Sequence, residues 1–199
     1  YGIKIVPVFC QTPITKLLTT GRPFLELAKK KNWPVLLHTT VHSEEDYSRA
    51  DMAFEVINGN PDIRFCLAHC IGFHQRYLEL ANSVSSIWVD TAALKIQCQL
   101  AYENNPVVAT KSERLDVDYS DHTKVIQSLI EVFPNTIIWG SDTPAYSYIC
   151  KRKEGNGSFS DFRLKASYED EISALNSIPE NCRKKICRQN TLDFLFGYE

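Results

Sequence analysis

The sequence contains no run of about 18 consecutive apolar residues, so it predicts no transmembrane helix. It also lacks an excess of one charge, since the formal net charge is −2 over 199 residues. This balance argues against nucleic acid or a membrane surface as a partner. No basic-then-apolar leader opens the sequence, and we therefore expect a cytoplasmic protein.

The seven cysteines do not have the spacing of any zinc-binding motif, and their number is odd. Cys66 lies within an apolar run, where cysteine usually acts as a small hydrophobic side chain. The pattern favours free thiols in a reducing compartment. A disulfide-bonded secreted protein is the alternative interpretation.

No Gly-x-Gly-x-x-Gly or Walker loop follows an apolar run, which removes the main support for a nucleotide-binding doubly wound sheet. The sequence does contain four short apolar runs that each deliver a histidine or an aspartate at their carboxyl end. They are 34–38, 63–69, 86–90 and 136–142. Such continuous apolar runs are typical of strands that are buried on both faces of a sheet.

Predicted strands and helices alternate five times along the chain, which indicates parallel βαβ units. We predict a first strand over 2–9, helices that begin after the caps Ser43 and Asp121, and a long mobile loop over 145–166. The predicted fold class is α/β, of TIM (β/α)8-barrel type. In such a barrel, functional residues occupy the carboxyl ends of the strands, where His38, His69, Asp90 and Asp142 lie.

Several segments together resemble the amidohydrolase superfamily, in the amidohydrolase-related branch that includes aminocarboxymuconate-semialdehyde decarboxylase and resorcylate decarboxylases. The similar segments are Pro-Val-Leu-Leu-His38, Leu-Ala-His69, Val-Asp90-Thr, Trp-Gly-Ser-Asp142-Thr-Pro and the closing Asn190-Thr-Leu-Asp-Phe-Leu-Phe-Gly197. They cover nearly the whole chain in the order of the family. The Gly-Ser-Asp-x-Pro segment with the Asn-to-Gly tail is the more specific part, whereas the single histidines are not specific alone.

The resemblance implies a barrel with one divalent metal ion, usually zinc, at the carboxyl ends of the strands. It implies that His38 is a metal ligand and that His69 contacts the substrate or the metal-bound water. Asp142 would be both a metal ligand and the proton carrier. Asp90 would lie on the seventh strand, with a role in substrate binding. Lys4 lies early in its strand and not at the tip, which favours one metal ion over two.

Besides the position of Lys4, the sequence departs from the family because no His-x-His metal pair occurs in it. Its first strand is similar to the fourth strand of the family, so about three βα units of a typical barrel are not represented. We therefore expect residues 1–199 to form one incomplete barrel domain, with five C-terminal βα units. An N-terminal segment or a second chain would complete it, and a homo-oligomer is also compatible with the sequence.

The predicted function is that of a metal-dependent hydrolase, which acts on a small carboxylated or cyclic substrate through a metal-activated water. A decarboxylase of the same fold and a non-catalytic interaction module are the alternatives. Each site residue also has a structural alternative. His38 and His69 are compatible with core histidines, Asp90 and Asp142 with side chains that cap the following loop. We expect the remaining three histidines to be solvated rather than ligands, and they are His42, His74 and His122.

Overall fold

The computed structural model describes residues 2–143, 147–153 and 157–197. Five short strands form one parallel sheet, in which each strand pairs with the next one along the chain. Their bounds are Ile3–Ile5 (β1), Val35–Leu37 (β2), Phe65–Leu67 (β3), Ile87–Asp90 (β4) and Ile137–Ile138 (β5). Parallel neighbours need a crossover after every strand. The predicted α/β fold with five βα units is confirmed.

Helices supply the crossovers between the strands of the sheet. Their bounds are Pro7–Cys10 (α1), Arg22–Lys31 (α2), Ala50–Asn58 (α3), Gln75–Asn82 (α4), Leu94–Tyr102 (α5), His122–Val132 (α6), Tyr168–Asn176 (α7), Glu180–Lys184 (α8) and Asn190–Phe196 (α9). A 3-10 turn covers Ile14–Leu18 and a π-turn covers Lys185–Gln189. Within the described ranges, no helix is long and apolar enough to cross a bilayer.

The strands present two faces that pack against different parts of the chain. One face carries every second side chain of the strands, such as those of Phe65, Leu67 and Val89. These side chains form part of the large core that the helices cover. The opposite face carries a smaller cluster of Leu36, Cys66, Trp88 and Ile138, which α9 covers through Phe194. The ring centroids of Trp88 and Phe194 are 5.7 Å apart. Asp90 lies on this second face, two residues after Trp88, because side chains alternate along a strand.

The first strand is shorter than predicted, since the prediction of a strand over 2–9 holds only for Ile3–Ile5. Helix α1 begins at Pro7 instead. Proline suits the first turn of a helix, because its missing N–H would be unpaired there in any case. An apolar run with β-branched residues therefore does not exclude a turn of helix when a proline interrupts it.

The predicted helix start at Ser43 is also wrong, because α3 begins at Ala50. The preceding segment folds instead around the carboxylate of Glu45, which accepts hydrogen bonds from the backbone N–H of Tyr47 at 2.9 Å and of Ser48 at 2.6 Å. A side chain that binds the backbone locally competes with helix formation. The predicted cap at Asp121 is confirmed, because its side chain accepts a hydrogen bond from Thr123 N.

The prediction of a long loop over 145–166 is wrong where the structure describes it. Strands Ser147–Lys153 (β6) and Phe159–Lys165 (β7) form an antiparallel hairpin in this segment. Two runs with aromatic and β-branched residues, joined by a glycine-rich stretch, are a hairpin signal in a sequence. Gly157 has a φ of 83°, a conformation that glycine adopts without steric strain.

Candidate active site

The site lies where three adjacent strands end at the same edge of the sheet. His38 follows β2 directly, His69 comes two residues after β3, and Asp90 is the last residue of β4. Backbone hydrogen bonds continue past the strand ends, from His38 N to Ile5 O and from Ala68 N to Leu37 O, both at 2.9 Å. These bonds hold the histidines in parallel register, so the two imidazoles meet.

The rings of His38 and His69 form a direct pair. His38 Nδ1 lies 2.9 Å from His69 Nε2, and the rings are edge-to-face with centroids 4.8 Å apart. His69 Nδ1 lies 2.9 Å from the carbonyl oxygen of Ala92. A carbonyl only accepts, so this Nδ1 carries a proton. The Nε2 lone pair of a neutral His69 ring then accepts the N–H of His38 Nδ1.

Burial keeps His38 neutral. The pKa of His38 is lowered from 6.5 to about 4, mainly by burial and to a smaller extent by the positive charges that His69 and Lys4 can carry. The burial effect is the largest because a charged imidazolium loses solvation when it leaves water. Neutral imidazole is the form that binds metal ions or accepts a proton at neutral pH.

Asp90 is buried beneath the pair, with 6% of its surface exposed. Its Oδ1 atom accepts hydrogen bonds from His69 N at 2.9 Å and from Ala92 N at 3.0 Å. The thiol of Cys66 lies 3.9 Å from Oδ2. Burial raises the pKa of Asp90, whereas the His69 charge and these two N–H groups oppose the rise. The structure thus places Asp90 next to His69, and one oxygen of its carboxylate binds two backbone N–H groups.

The chain after β3 adopts a left-handed turn that carries His69. Four of its residues other than glycine have positive φ angles between 48° and 61°, namely His69, Cys70, Ile71 and Phe73. Such angles are disfavoured for L-residues, and consecutive ones are uncommon. Gly72 lies within this turn at a φ of 57°, and a Cβ there would lie only 2.9 Å from Val41 Cγ2. Backbone strain of this kind occurs preferentially at functional sites.

Asp142 follows β5, the strand that pairs with β4. It is half-buried and has a φ of 61°. The next proline, Pro144, lies outside the described residues. Within the described part of the chain, no three His, Cys, Asp or Glu side chains converge as a metal-binding group. Among the described residues, the neutral His38 imidazole suits one position of a metal site, and these residues do not assemble a complete ligand set.

Glu171 is a buried acid that the sequence does not identify as special. It lies on α7 and has no exposed surface. Its carboxylate accepts hydrogen bonds from Leu94 N at 3.2 Å and Lys95 N at 3.1 Å, so it caps the start of α5. The pKa of Glu171 is raised to about 7, mainly by burial, while the two N–H groups oppose the rise and the charges of Asp170 and Asp142 favour it.

The other three histidines lie outside this pair. The expectation that His122 is solvated is wrong, because only 8% of it is exposed and its Nε2 lies 3.0 Å from Asp170 O. His42 accepts a hydrogen bond at Nδ1 from Glu44 N. His74 packs against Tyr77, with ring centroids 4.5 Å apart. These contacts are structural ones, and they lie outside the pair of His38 and His69.

Comparison with solved structures supports a barrel-type fold. Dihydroorotase from Saccharomyces cerevisiae, in complex with 5-fluoroorotic acid, has a TM-score of 0.59 at 13% identity, with 97% of this chain and 59% of that one covered. Dihydroorotase from Campylobacter jejuni has a TM-score of 0.58 at 14% identity, with 97% and 57% covered. 5-Carboxyvanillate decarboxylase from Sphingomonas paucimobilis has a TM-score of 0.52 at 9% identity, with 98% of this chain and 58% of that one covered. This chain therefore spans less than two thirds of the length of each.

At these identities the similarity concerns the fold alone, and it confirms the predicted TIM-barrel type with a partial set of βα units. No curated protein matches the chain. A family model described as amidohydrolase matches residues 2–197, which is nearly the whole sequence. The chain belongs to the amidohydrolase family.

Proposed function

We propose that this chain carries part of the active site of a metal-dependent hydrolase, which acts on a small carboxylated or cyclic substrate. The observation that carries the proposal is the pairing of His38 Nδ1 with His69 Nε2 at 2.9 Å, at the carboxyl ends of adjacent parallel strands. Paired imidazoles at this edge of a parallel sheet occupy the place where barrel enzymes hold their catalytic groups.

The His38 imidazole and the Asp142 carboxylate suit a divalent metal ion, with zinc preferred for a nitrogen and oxygen ligand set. The His69 imidazole, whose Nε2 lies 2.9 Å from His38 Nδ1, would be left for the substrate or the metal-bound water.

In the proposed site, His38 is a metal ligand and Asp142 is both a ligand and the proton carrier. A bound metal ion would acidify a water molecule and polarise a substrate oxygen. The Asp142 carboxylate would hold the proton that the attacking water loses and pass it to the leaving group. His69 would accept a hydrogen bond at Nε2 from the substrate or the metal-bound water, while its Nδ1–H stays bound to Ala92 O. Asp90 would contact this end of the site through His69.

We further propose that strands outside the described residues supply the other ligands. The sheet follows the chain order, so a preceding βα unit would pair with β1. Within the described residues no strand occupies the free edge of β1, and an apolar cleft of about 410 Å³ opens beside it. Phe9 is 86% exposed and Phe24 is 58% exposed near this edge. An added strand and helix would cover this surface, either from an N-terminal segment or from a second chain.

Zinc binding is the first test. Titration calorimetry with zinc would compare the wild-type chain with His38→Ala, Asp142→Ala and the control His42→Ala. We expect His38→Ala and Asp142→Ala to weaken zinc binding at least tenfold and His42→Ala to leave it unchanged. Equal affinities in all four proteins would reject the proposed ligands.

The reaction is tested on the zinc-loaded chain with two probes. Dihydroorotate is a cyclic amide that carries a carboxylate, and its ring opening reports hydrolysis. An aromatic acid such as 5-carboxyvanillate reports decarboxylation by release of carbon dioxide. Ring opening that Asp142→Asn abolishes would support the hydrolase. Carbon dioxide release without ring opening would instead favour the decarboxylase of the same fold.

A non-catalytic module is the second candidate, and one observation favours it. The described residues bring no three potential metal ligands together. Such a module would bind no zinc at micromolar concentration, and it would turn over neither probe. It would also require a partner chain, which size-exclusion chromatography with light scattering detects as a mass above 22.7 kDa.

A further inference from the structure

His69 is held at two points by the segment that follows β4. Its backbone N–H donates to Asp90 Oδ1 at 2.9 Å, and its ring Nδ1 donates to Ala92 O at 2.9 Å. Ala92 N in turn donates to the same Oδ1 atom at 3.0 Å. The three bonds form a closed ring through Asp90, Ala92 and His69. Both the backbone and the imidazole of His69 are thus fixed to one carboxylate oxygen, directly or through Ala92.

This ring of bonds opposes the backbone strain of the turn after β3. His69 itself has a φ of 61°, and the four residues after it are also left-handed. Strained backbone persists only when surrounding interactions hold it in place. The bond between His69 N and Asp90 lies at the start of this turn. Asp90 is therefore placed to hold the turn, and with it the direction of the His69 ring.

The contact pattern differs from that of an ordinary strand-end cap. An aspartate that only caps a loop accepts the N–H two residues on, which here is Ala92 N. Asp90 accepts in addition from His69, which lies 21 residues earlier on a neighbouring strand. The orientation of Ala92 then places its carbonyl against the imidazole. This second, cross-strand bond links the cap to the histidine pair.

We infer that Asp90 is a positioning residue, which fixes the Nδ1–H tautomer and the direction of the His69 ring through Ala92 and so presents Nε2 to the site. This inference deepens the proposed function, because it concerns the same histidine pair. It assigns Asp90 a role through His69 in place of direct substrate contact. Partners behind a histidine ring commonly select its tautomer in this way.

The test is the tautomer of His69, read from nitrogen-15 NMR of the histidine rings above pH 7.5 without metal. The variants are Asp90→Ala, Asp90→Asn and the control Asp193→Ala. Asp193 is a comparably buried aspartate, with 8% exposure, which accepts a hydrogen bond from Gln189 on its own helical segment. We expect the wild type and Asp193→Ala to show a protonated Nδ1 and an unprotonated Nε2 on His69.

Asp90→Ala should lose this signature, with protonation shifting to Nε2, the nitrogen that carries the proton in most free neutral histidine. Asp90→Asn should restore it, because an amide oxygen accepts the same two N–H bonds. An unchanged tautomer in folded Asp90→Ala would overturn the inference. A loss in Asp193→Ala of equal size would also overturn it, because the effect would then follow from destabilisation alone.

A measurement on the wild-type protein decides the matter even if Asp90→Ala does not fold. Scalar coupling across hydrogen bonds should connect the amide nitrogens of His69 and Ala92 with the carboxyl carbon of Asp90. Absence of both couplings would contradict the inference. Neither measurement needs metal or turnover, so both can be interpreted even if the proposed hydrolase activity is not found.

Discussion

His38 Nδ1 lies 2.9 Å from His69 Nε2, so the two imidazoles hold one proton between them. The two histidines follow neighbouring parallel strands, His38 directly after β2 and His69 two residues after β3. Because His38 is buried, the pair resists a second proton. Neutral rings that share a proton are ready to exchange it for a metal ion or a substrate group.

The first prediction concerns the pH dependence of stability. The pKa of His38 is about 4 in the folded chain, against 6.5 when the ring is exposed. The unfolded chain binds more protons between these values, so the free energy of unfolding falls as the pH drops from 6.5 toward 4. We expect His38 to account for a loss of about 3 kcal/mol over this window.

Urea unfolding at pH 7 and pH 4.5 measures this effect in the wild type and in His38→Asn, with a chelator present. Asparagine keeps a donor near the Nδ1 position and does not titrate. The stability difference between the two proteins should change by a large part of that loss between the two pH values. A difference that stays constant with pH would contradict the low pKa of His38.

The sequence predicted those parts of the fold that depend on local patterns. Helix α6 begins after Asp121 as predicted, and its buried apolar residues repeat with helical spacing at Val125, Ile126, Leu129 and Ile130. The cap at Asp121 and the capping box of Ser167 with Asp170 also follow from residues close in the chain. Ser43 failed as a cap because Glu45 binds the nearby backbone instead, which no helix signal in the sequence reveals.

The site followed from sequence only in part. His38, His69 and Asp90 stand at the ends of predicted strands, and this predicts that they share one edge of the sheet. The structure brings these three residues together. The sequence does not show that Ala92 would bind the His69 ring through its backbone, since any residue has a carbonyl. Glu171 was missed for a similar reason, because only tertiary packing places it at the start of α5.

The second prediction concerns Asp142 as proton carrier. Asp142→Asn should lower turnover by about 10²–10⁴-fold, because an amide cannot take up the proton. Asparagine tolerates the left-handed backbone at a φ of 61°, so the free energy of unfolding should change by less than about 0.5 kcal/mol. Asp142→Ala should lose turnover as well, and about 1 kcal/mol of stability, because alanine is strained at this angle.

Turnover is measured with the probe substrate that the zinc-loaded wild type converts, and stability by urea unfolding of each variant. Asp118→Asn is a matched control, since this exposed aspartate forms an ion pair with Lys124 on α6 at 2.9 Å, away from the histidines. The control should keep full turnover. Retention of wild-type turnover in Asp142→Asn would remove Asp142 from the reaction.

The third prediction uses Glu171, for which the sign of the pH dependence is reversed. The pKa of Glu171 is about 7 in the folded chain, against 4.5 when exposed. The folded chain then binds more protons between these values, so this group's contribution to stability is lost as the pH rises from 4.5 to 7. We expect the loss to be about 3 kcal/mol in total.

Glu171→Gln tests this expectation, because glutamine has a similar shape and does not titrate. Relative to the wild type, the variant should gain stability steadily between pH 5 and pH 8 in urea unfolding experiments. Glu169→Gln is the control, as it lies two residues earlier on α7 and is exposed. An equal pH dependence in both variants would mean that burial does not shift the pKa of Glu171.

The last prediction separates backbone strain from steric overlap in the turn that carries His69. Gly72→Ala places a Cβ 2.9 Å from Val41 Cγ2 and 3.2 Å from Val108 Cα, at a φ of 57°. Gly157→Ala introduces similar strain at a φ of 83°, but nothing lies within 4 Å of the new Cβ. Strain alone should cost about 1–2 kcal/mol at each site, and overlap should add about 1–3 kcal/mol at Gly72.

Urea unfolding of the two variants gives the comparison directly. Gly72→Ala should be the less stable protein, and the nitrogen-15 signals of the His69 ring should shift in it, because the displaced turn carries this ring. Gly157→Ala should leave those signals in place. If both variants lose the same free energy, the close approach of Val41 and Val108 contributes nothing, and the left-handed backbone alone requires glycine at position 72.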